Sequence, residues 1–432
     1  MMSYQFKKMN PRSLQGTGLG FLTKKMVIKM VSNQFYLFRN RSFSLFTASC
    51  MMAMFGNGLT YIIMVWTLMH FSASVVSTAL LMTCFWLPNV LLGPFFGVIA
   101  DRYNRKFLLL LANGLRAACL FGFGFLAQNH MTAFSIYVLA AVIGSLLAVY
   151  IPVAMTFVRE IVDKKDLLYG NATVDIAYEI GAVLGMGGAG VILAMTSSSA
   201  CFIINGICYL LAMLLLFGIQ YRRNQDEHEN RDSLFTQFIE GGRYVLANTP
   251  LLLIYLVQGL FFVCMMTAPV LLAPYAKGIL HSNVTQFGWL EAMFSLGIIV
   301  GGCISPWLAT RFSIPRIILV QVVLGTVSFY LFSHTQNTHW AIFYHFLIGY
   351  SFSAWALLTT LAQEMTALEF QGRVQSLFNS VSGVVIILFY YLLAQWKNIP
   401  VNQLYFGEMG LLLAAGGFLL LMTLSQRRRD SR

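Results

Sequence analysis

The feature that most constrains this chain is a series of twelve apolar runs, at 43–70, 75–100, 107–127, 132–158, 169–196, 199–220, 251–276, 284–309, 317–333, 339–363, 374–396 and 401–424. Each can cross a hydrocarbon core, which takes roughly 17 to 25 helical residues. Eight of the runs hold no Asp, Glu, Lys or Arg, and none alternates in polarity as barrel strands do, so helices are expected. With 10% of its 432 residues charged, against about 25% in soluble proteins, the chain has no aqueous domain of useful size. The sequence predicts an all-α membrane protein whose work is done inside the bilayer.

An even number of crossings puts both termini on one side. Of the 28 Lys and Arg, 25 fall on that side, Lys277 and Lys397 fall on the other, and Arg116 lies within a run. The positive-inside rule therefore predicts a multi-pass protein of the cell inner (plasma) membrane with both termini cytoplasmic. The net charge of +12 then reflects topology and contact with anionic lipid, and no nucleic-acid partner is needed. Residues 1–42 mix Lys7, Lys8, Lys24, Lys25 and Lys29 with Phe21, Ile28 and Phe35, without a small-residue cleavage site. They are expected to be a basic cytoplasmic segment on the inner leaflet, and 425–432 a basic cytoplasmic tail. The seven cysteines lie in or beside apolar runs without a CxxC pair, and His345 is the one histidine well inside a run. Neither a disulfide framework nor a metal site is expected.

The one long polar break, 221–250, carries Asp226, Glu227, Glu229 and Asp232 and separates a six-helix half at 43–220 from another at 251–424. Within it, 234–247 reads as an amphipathic helix. The halves echo each other. Gly93, eight residues before Asp101-Arg102, matches Gly302, eight residues before Thr310-Arg311, and Arg159-Glu160 matches Gln363-Glu364. Two pseudo-symmetric halves imply a substrate cavity between them, opened alternately to each side by rocking.

The segment Gly97-Val98-Ile99-Ala100-Asp101-Arg102-Tyr103-Asn104-Arg105-Lys106 resembles the GxLADRxGRRxxL signature of the major facilitator superfamily in place, polarity and spacing. Asn104 stands for the usual Gly, a mild departure because Asn tolerates left-handed backbone. The resemblance implies a cytoplasmic gate formed by Gly97, Asp101, Arg102, Arg105 and Arg373, in which Asp101 faces the start of the eleventh crossing at Gln371-Gly372-Arg373. A carboxylate is stabilised by a helix N-terminus, and Arg373 would add an ion pair to Asp101. Pro152, Arg159-Glu160-Ile161-Val162, Leu167 and Asn171, with Gly372-Arg373-Val374-Gln375-Ser376-Leu377, resemble the macrolide-efflux and enterobactin-exporter branch. Gly181, Gly185, Gly187, Gly188 and Gly190 resemble the glycine-rich antiporter motif, with Met186 in place of Pro; close helix packing would favour the same glycines.

A charge at the bilayer centre costs about 2.5 to 3.5 kcal/mol, so Arg116, Asp175, Glu179, Glu291 and Glu408 are expected to face a cavity or a partner. Asp175 and Glu179, at i and i+4, share one helix face. Arg116 lies at a depth similar to Glu179, so an ion pair with either acid is expected, with Asp175 its structural partner and Glu179 the proton carrier. Glu291 and Glu408, each about seven residues from an outer helix end, are expected to be partly hydrated. Tyr61, Trp66 and Trp355 are candidate substrate contacts for an amphipathic or aryl-containing solute.

These readings favour a secondary transporter that needs no cofactor or nucleotide; an enzyme would need a nucleophile or metal constellation, and the sequence offers none. Proton-coupled export of a drug or siderophore by a monomer is the expected activity. Siderophore uptake and lysophospholipid flipping are the alternatives on the same fold, and an enzyme or receptor on a transporter-like scaffold is the alternative outside it.

Overall fold

In hydrocarbon every backbone N–H and C=O must be satisfied within its own segment, so each apolar run can only become a helix. The computed structural model describes residues 36–163, 166–220, 234–396 and 398–430; the described side chains exclude 93–102, 127–130, 168, 172, 234–238, 368, 369, 372, 376 and 425–430. The segments 1–35 and 221–233, which hold most of the expected basic segment and the acidic part of the linker, lie outside the described residues.

The first half comprises α1 (Arg41–Phe71), α2 (Val75–Arg102), α3 (Arg105–His130), α4 (Ala133–Ile161), α5 (Leu167–Met195) and α6 (Ser198–Phe217). The connection contributes α7 (Leu234–Ala247), and the second half α8 (Thr249–Gly278), α9 (Val284–Phe312), α10 (Ile314–His334), α11 (Thr338–Phe352), α12 (Ala354–Met365), α13 (Leu368–Gln395) and α14 (Val401–Asp430). Twelve spans are long and apolar enough to cross a membrane, α11 and α12 together making one of them. The protein is a twelve-span, all-α, multi-pass membrane protein in two pseudo-symmetric halves. Its α1 start and α14 end share one face, the terminal face; the opposite one is the far face.

Side chains close the helix ends that lipid cannot solvate. Asn40 caps α1 by accepting from Ser42 N (3.0 Å) and Phe43 N (3.3 Å), and Asn283 and Gln286 form a capping box on α9. Lys106 Nζ donates to the Ile219 carbonyl (2.7 Å) beyond α6, and Tyr275 Oη to the Thr335 carbonyl (2.7 Å) beyond α10. The tenth run, expected as one helix, is interrupted at Ser353, where Gln321 Nε2 reaches Ser353 Oγ (2.7 Å) and Ser305 Oγ (2.9 Å). Those bonds hold a polar break inside the bundle, where protein and not lipid surrounds it.

Within the first half α1 packs along α5 and α6, α2 along α4, and α3 along α6. The second half repeats the scheme with α8 on α14, α9 on α11, and α10 on α14. Between the halves α5 meets α9 and α13 meets α2. A side chain on Gly181 or Gly185 would put its Cβ 2.2 Å from the Met51 carbonyl or 2.1 Å from that of Phe55. These two glycines are what lets α5 lie directly on α1.

Candidate functional site

On the far face the two halves are joined. Gly190 of α5 lies so close to α9 that a Cβ there would stand 2.7 Å from the Val284 carbonyl, and Thr285 Oγ1 donates to the Gly190 carbonyl (3.2 Å). Lys277 Nζ, on α8, donates to the Met69 carbonyl of α1 (2.6 Å) and lies 5.8 Å from the Trp66 ring. Trp66 in turn meets Phe287 of α9 with ring centroids 5.6 Å apart. Deeper in, Tyr61 Oη of α1 donates to Glu291 Oε1 of α9 (2.7 Å).

Towards the terminal face the side of α5 that meets α9 becomes exposed. At about 100° per residue, Asp175, Glu179, Met186 and Gly190 occupy one stripe of α5. Met186 and Gly190 are packed against Gly288, whereas Asp175 and Glu179 are exposed. The two acids thus face the space between the halves where it is not closed. Midway along, Gly383 of α13 lies against Val90 of α2, with a Cβ distance of 2.8 Å.

Arg116 is not with them. It is fully buried between Tyr150 and Tyr209, its guanidinium carbon 4.8 and 5.3 Å from the two ring centroids, and none of its nitrogens has a hydrogen-bond partner among the described residues. The expected ion pair to Asp175 or Glu179 is not formed, because α3 turns Arg116 into the interior of the first half while the stripe holding the acids faces the other half. Position along a run gives no direction around the helix, and it is the direction that separates Arg116 from the acids.

The hydration expected for Glu291 and Glu408 is corrected as well: both are buried, at 4% and 3% exposure. Tyr61 covers Glu291, and Thr267 Oγ1 of α8 donates to Glu408 Oε1 (2.6 Å). Tyr405 of α14 lies close enough to both carboxylates to interact with each, and Tyr390 of α13 interacts with Glu408. Five helices, one of them from the first half, therefore build a buried carboxyl and phenol cluster next to the far-face seam. Tyr390 and Tyr405 went unmarked in the sequence, where a Tyr three residues before an intramembrane Glu was the available signal.

Of the aromatic candidates, Tyr61 and Trp66 belong to the seam. Trp355 is half-buried on α12, 6.0 Å from Phe262 and 6.1 Å from Phe378 by ring centroids, in a separate aromatic group of the second half.

At the terminal face, Asn104 has φ −65° and caps α3 by accepting from Phe107 N (3.1 Å), so it serves as a cap and not as the left-handed residue expected. Arg105 pairs with Glu160 at the end of α4, and Arg373 of α13 pairs with Glu240 of α7. The α7 contact was missed because nothing in sequence separation 133 signals it. The side chains of Gly97, Asp101 and Arg102 lie outside the described residues.

The Major Facilitator Superfamily model matches residues 46–390. The chain belongs to that superfamily. It is a transporter of a small molecule and not an enzyme. It is 26% identical over 342 residues to the enterobactin exporter EntS of Salmonella choleraesuis (strain SC-B67), covering 77% of this chain and 80% of that one. With the uncharacterized MFS-type transporter YfiS of Bacillus subtilis (strain 168) it shares 26% identity over half its length, spanning 52% of that relative. The staphyloferrin A transporter of Staphylococcus aureus (strain NCTC 8325 / PS 47) is 26% identical over 41% of this chain and 45% of its own. In fold the chain is similar to a point variant of the nucleoside transporter NupG, with TM-score 0.71, 12% identity and coverage of 89% and 100% of the two chains. It is also similar to a bacterial homologue of the lysosomal transporter Spinster, with TM-score 0.68, 14% identity and coverage of 90% and 97%.

Proposed function

We propose that this carrier exports a siderophore from the cytoplasm by proton-coupled alternating access, as a monomer in the inner membrane with both termini cytoplasmic. The substrates of the enterobactin exporter and staphyloferrin A transporter relatives support the substrate class, and the distribution of Lys and Arg supports the orientation. The far seam is joined and Asp175 and Glu179 are exposed towards the terminal face, which this reading makes the cytoplasmic one.

The observation that carries the coupling is the bond from Tyr61 Oη to Glu291 Oε1, which crosses between the halves (2.7 Å). A carboxyl sealed while the far face is closed, and wetted when α1 and α9 part, changes its surroundings once per cycle. Those surroundings govern whether it holds a proton. Protons entering from outside reach Glu291 when the seam opens, and closure re-forms the Tyr61 bond. This moves the coupling role from Glu179 to Glu291, with Glu408 beside it through Tyr405. Asp175 and Glu179 instead meet the solute entering from the cytoplasm. Asp101 and Arg373 remain the proposed cytoplasmic latch, with Glu240 competing for the same guanidinium.

The test uses proteoliposomes with enterobactin and staphyloferrin A as trial solutes. Glu291→Gln is expected to keep downhill exchange and lose accumulation under an imposed pH gradient. Accumulation equal to that of the parent would remove Glu291 from coupling, and transport of neither solute would remove the substrate class.

A further inference from the structure

The two halves differ where α1–α5 should match α8–α13. Gly181 and Gly185 bring α5 onto the α1 backbone, whereas α13 meets α8 only sparsely and presents Phe378, Val381 and Val385. The result is a cleft of about 320 Å³ walled by Leu256, Gly259 and Val263 of α8, Val381 and Val385 of α13, and Phe418 of α14. Its lining is apolar apart from Tyr255 and Ser382, and Val245 of α7 borders it at the terminal face.

The direction of the cleft follows from helix geometry. On α13, Gly383, which touches α2, lies about 180° around the helix from the stripe of Val374, Val381 and Val385. On α8, Gln258, 100° or more around the helix from Leu256, Gly259 and Val263, reaches Thr359 of α12, so α12 occupies another side. The cleft therefore faces away from the first half, between α13 and α14, and Leu256 and Val381 at its mouth are 42% and 46% exposed. It opens to the bilayer and not to the transport pathway.

Its length is informative. Leu252 to Val263 is eleven rises of α8, about 16 Å, close to half of a hydrocarbon core about 30 Å thick. At its terminal end lies the amphipathic α7, whose Val245 closes the slot. An apolar slot that is one leaflet deep and open to the bilayer fits a single hydrocarbon chain.

We propose that the cleft between α8, α13 and α14 is a binding site for one acyl chain of a phospholipid of the terminal-face leaflet. The site is independent of what the carrier moves. A chain held there sets the separation of α8 and α13, both of which touch α2 across the halves.

Gly259 supplies the test, since a Cβ there meets nothing within 4 Å and a larger side chain can grow into the slot without disturbing the helix. Full-length carrier in nanodiscs containing phosphatidylglycerol with a photoreactive group on its acyl chain is irradiated, and labelled peptides are mapped. Label is expected to concentrate on α8 and α13, falling about tenfold in Gly259→Leu and in Val381→Trp, which fills the slot from the other wall. Gly407→Phe, an exposed α14 position at the far face, should leave it unchanged. Labelling spread evenly over all lipid-facing helices, or unaltered by either filling variant, would overturn the proposal. So would displacement of the label by transported solute in place of lipid.

Discussion

At the scale of single residues, Arg116 is the most informative side chain, because burying a cation without a carboxylate costs several kcal/mol. Two tyrosine faces offset part of that, each worth about 2 kcal/mol when desolvated. Replacing a buried charge by an apolar group of similar volume is often neutral or stabilising. Arg116→Met is therefore expected to leave thermal stability unchanged or raised in detergent. Tyr209→Leu should lower stability by roughly 2 kcal/mol, and by less in the Arg116→Met background, since the lost contact is already gone. A strongly destabilised Arg116→Met would show that the guanidinium has a partner of its own. That Arg116 would be special was legible from its place in an apolar run. Its partners were not, because a run gives depth along a helix but not the side it faces when nearly every side is apolar.

At the scale of helices, the glycines of α5 serve two faces with different consequences. Gly185 holds α5 to α1 within one half, while Gly190 holds it to α9 across the seam, with Cβ distances of 2.1 and 2.7 Å to the facing carbonyls. Gly185→Ala is expected to reduce folded yield severely, since backbone on a neighbouring helix cannot give way. Gly190→Ala should fold but resist far-face closure. The readout is faster maleimide labelling of Trp66→Cys from the far side, and labelling equal to the Gly190 parent would remove the glycine from the seam. The sequence offered this motif as either close packing or an antiporter signature, and α5 runs unbroken from Leu167 to Met195 with Met186 where the family's proline stands. Packing accounts for Gly181, Gly185 and Gly190. The division of labour between them was hidden, because the residues that they touch are 94 to 130 positions away. The helices themselves were readable because hydropathy alone decides what may cross a bilayer, and the break at Ser353 was not, because its cause is Gln321 on another helix.

For the molecule as a whole, alternating access requires that the far seam open and re-form in every turnover. Trp66 and Phe287, on opposite halves with ring centroids 5.6 Å apart, are placed to report this. In a background with the seven native cysteines replaced, Trp66→Cys with Phe287→Cys should be joined by a short bismaleimide. Transport should then fall to background while the protein stays folded and monodisperse, and each single variant should keep its activity after the same treatment. A matched pair within one half, His334→Cys with Phe406→Cys (ring centroids 6.0 Å, both exposed), should react without stopping transport, because those helices move together. If the joined Trp66 and Phe287 variant still transported at the parent rate, the two halves would not part at this seam. Glu291 would then never be wetted from the far side, and the coupling route through Tyr61 would fail with it.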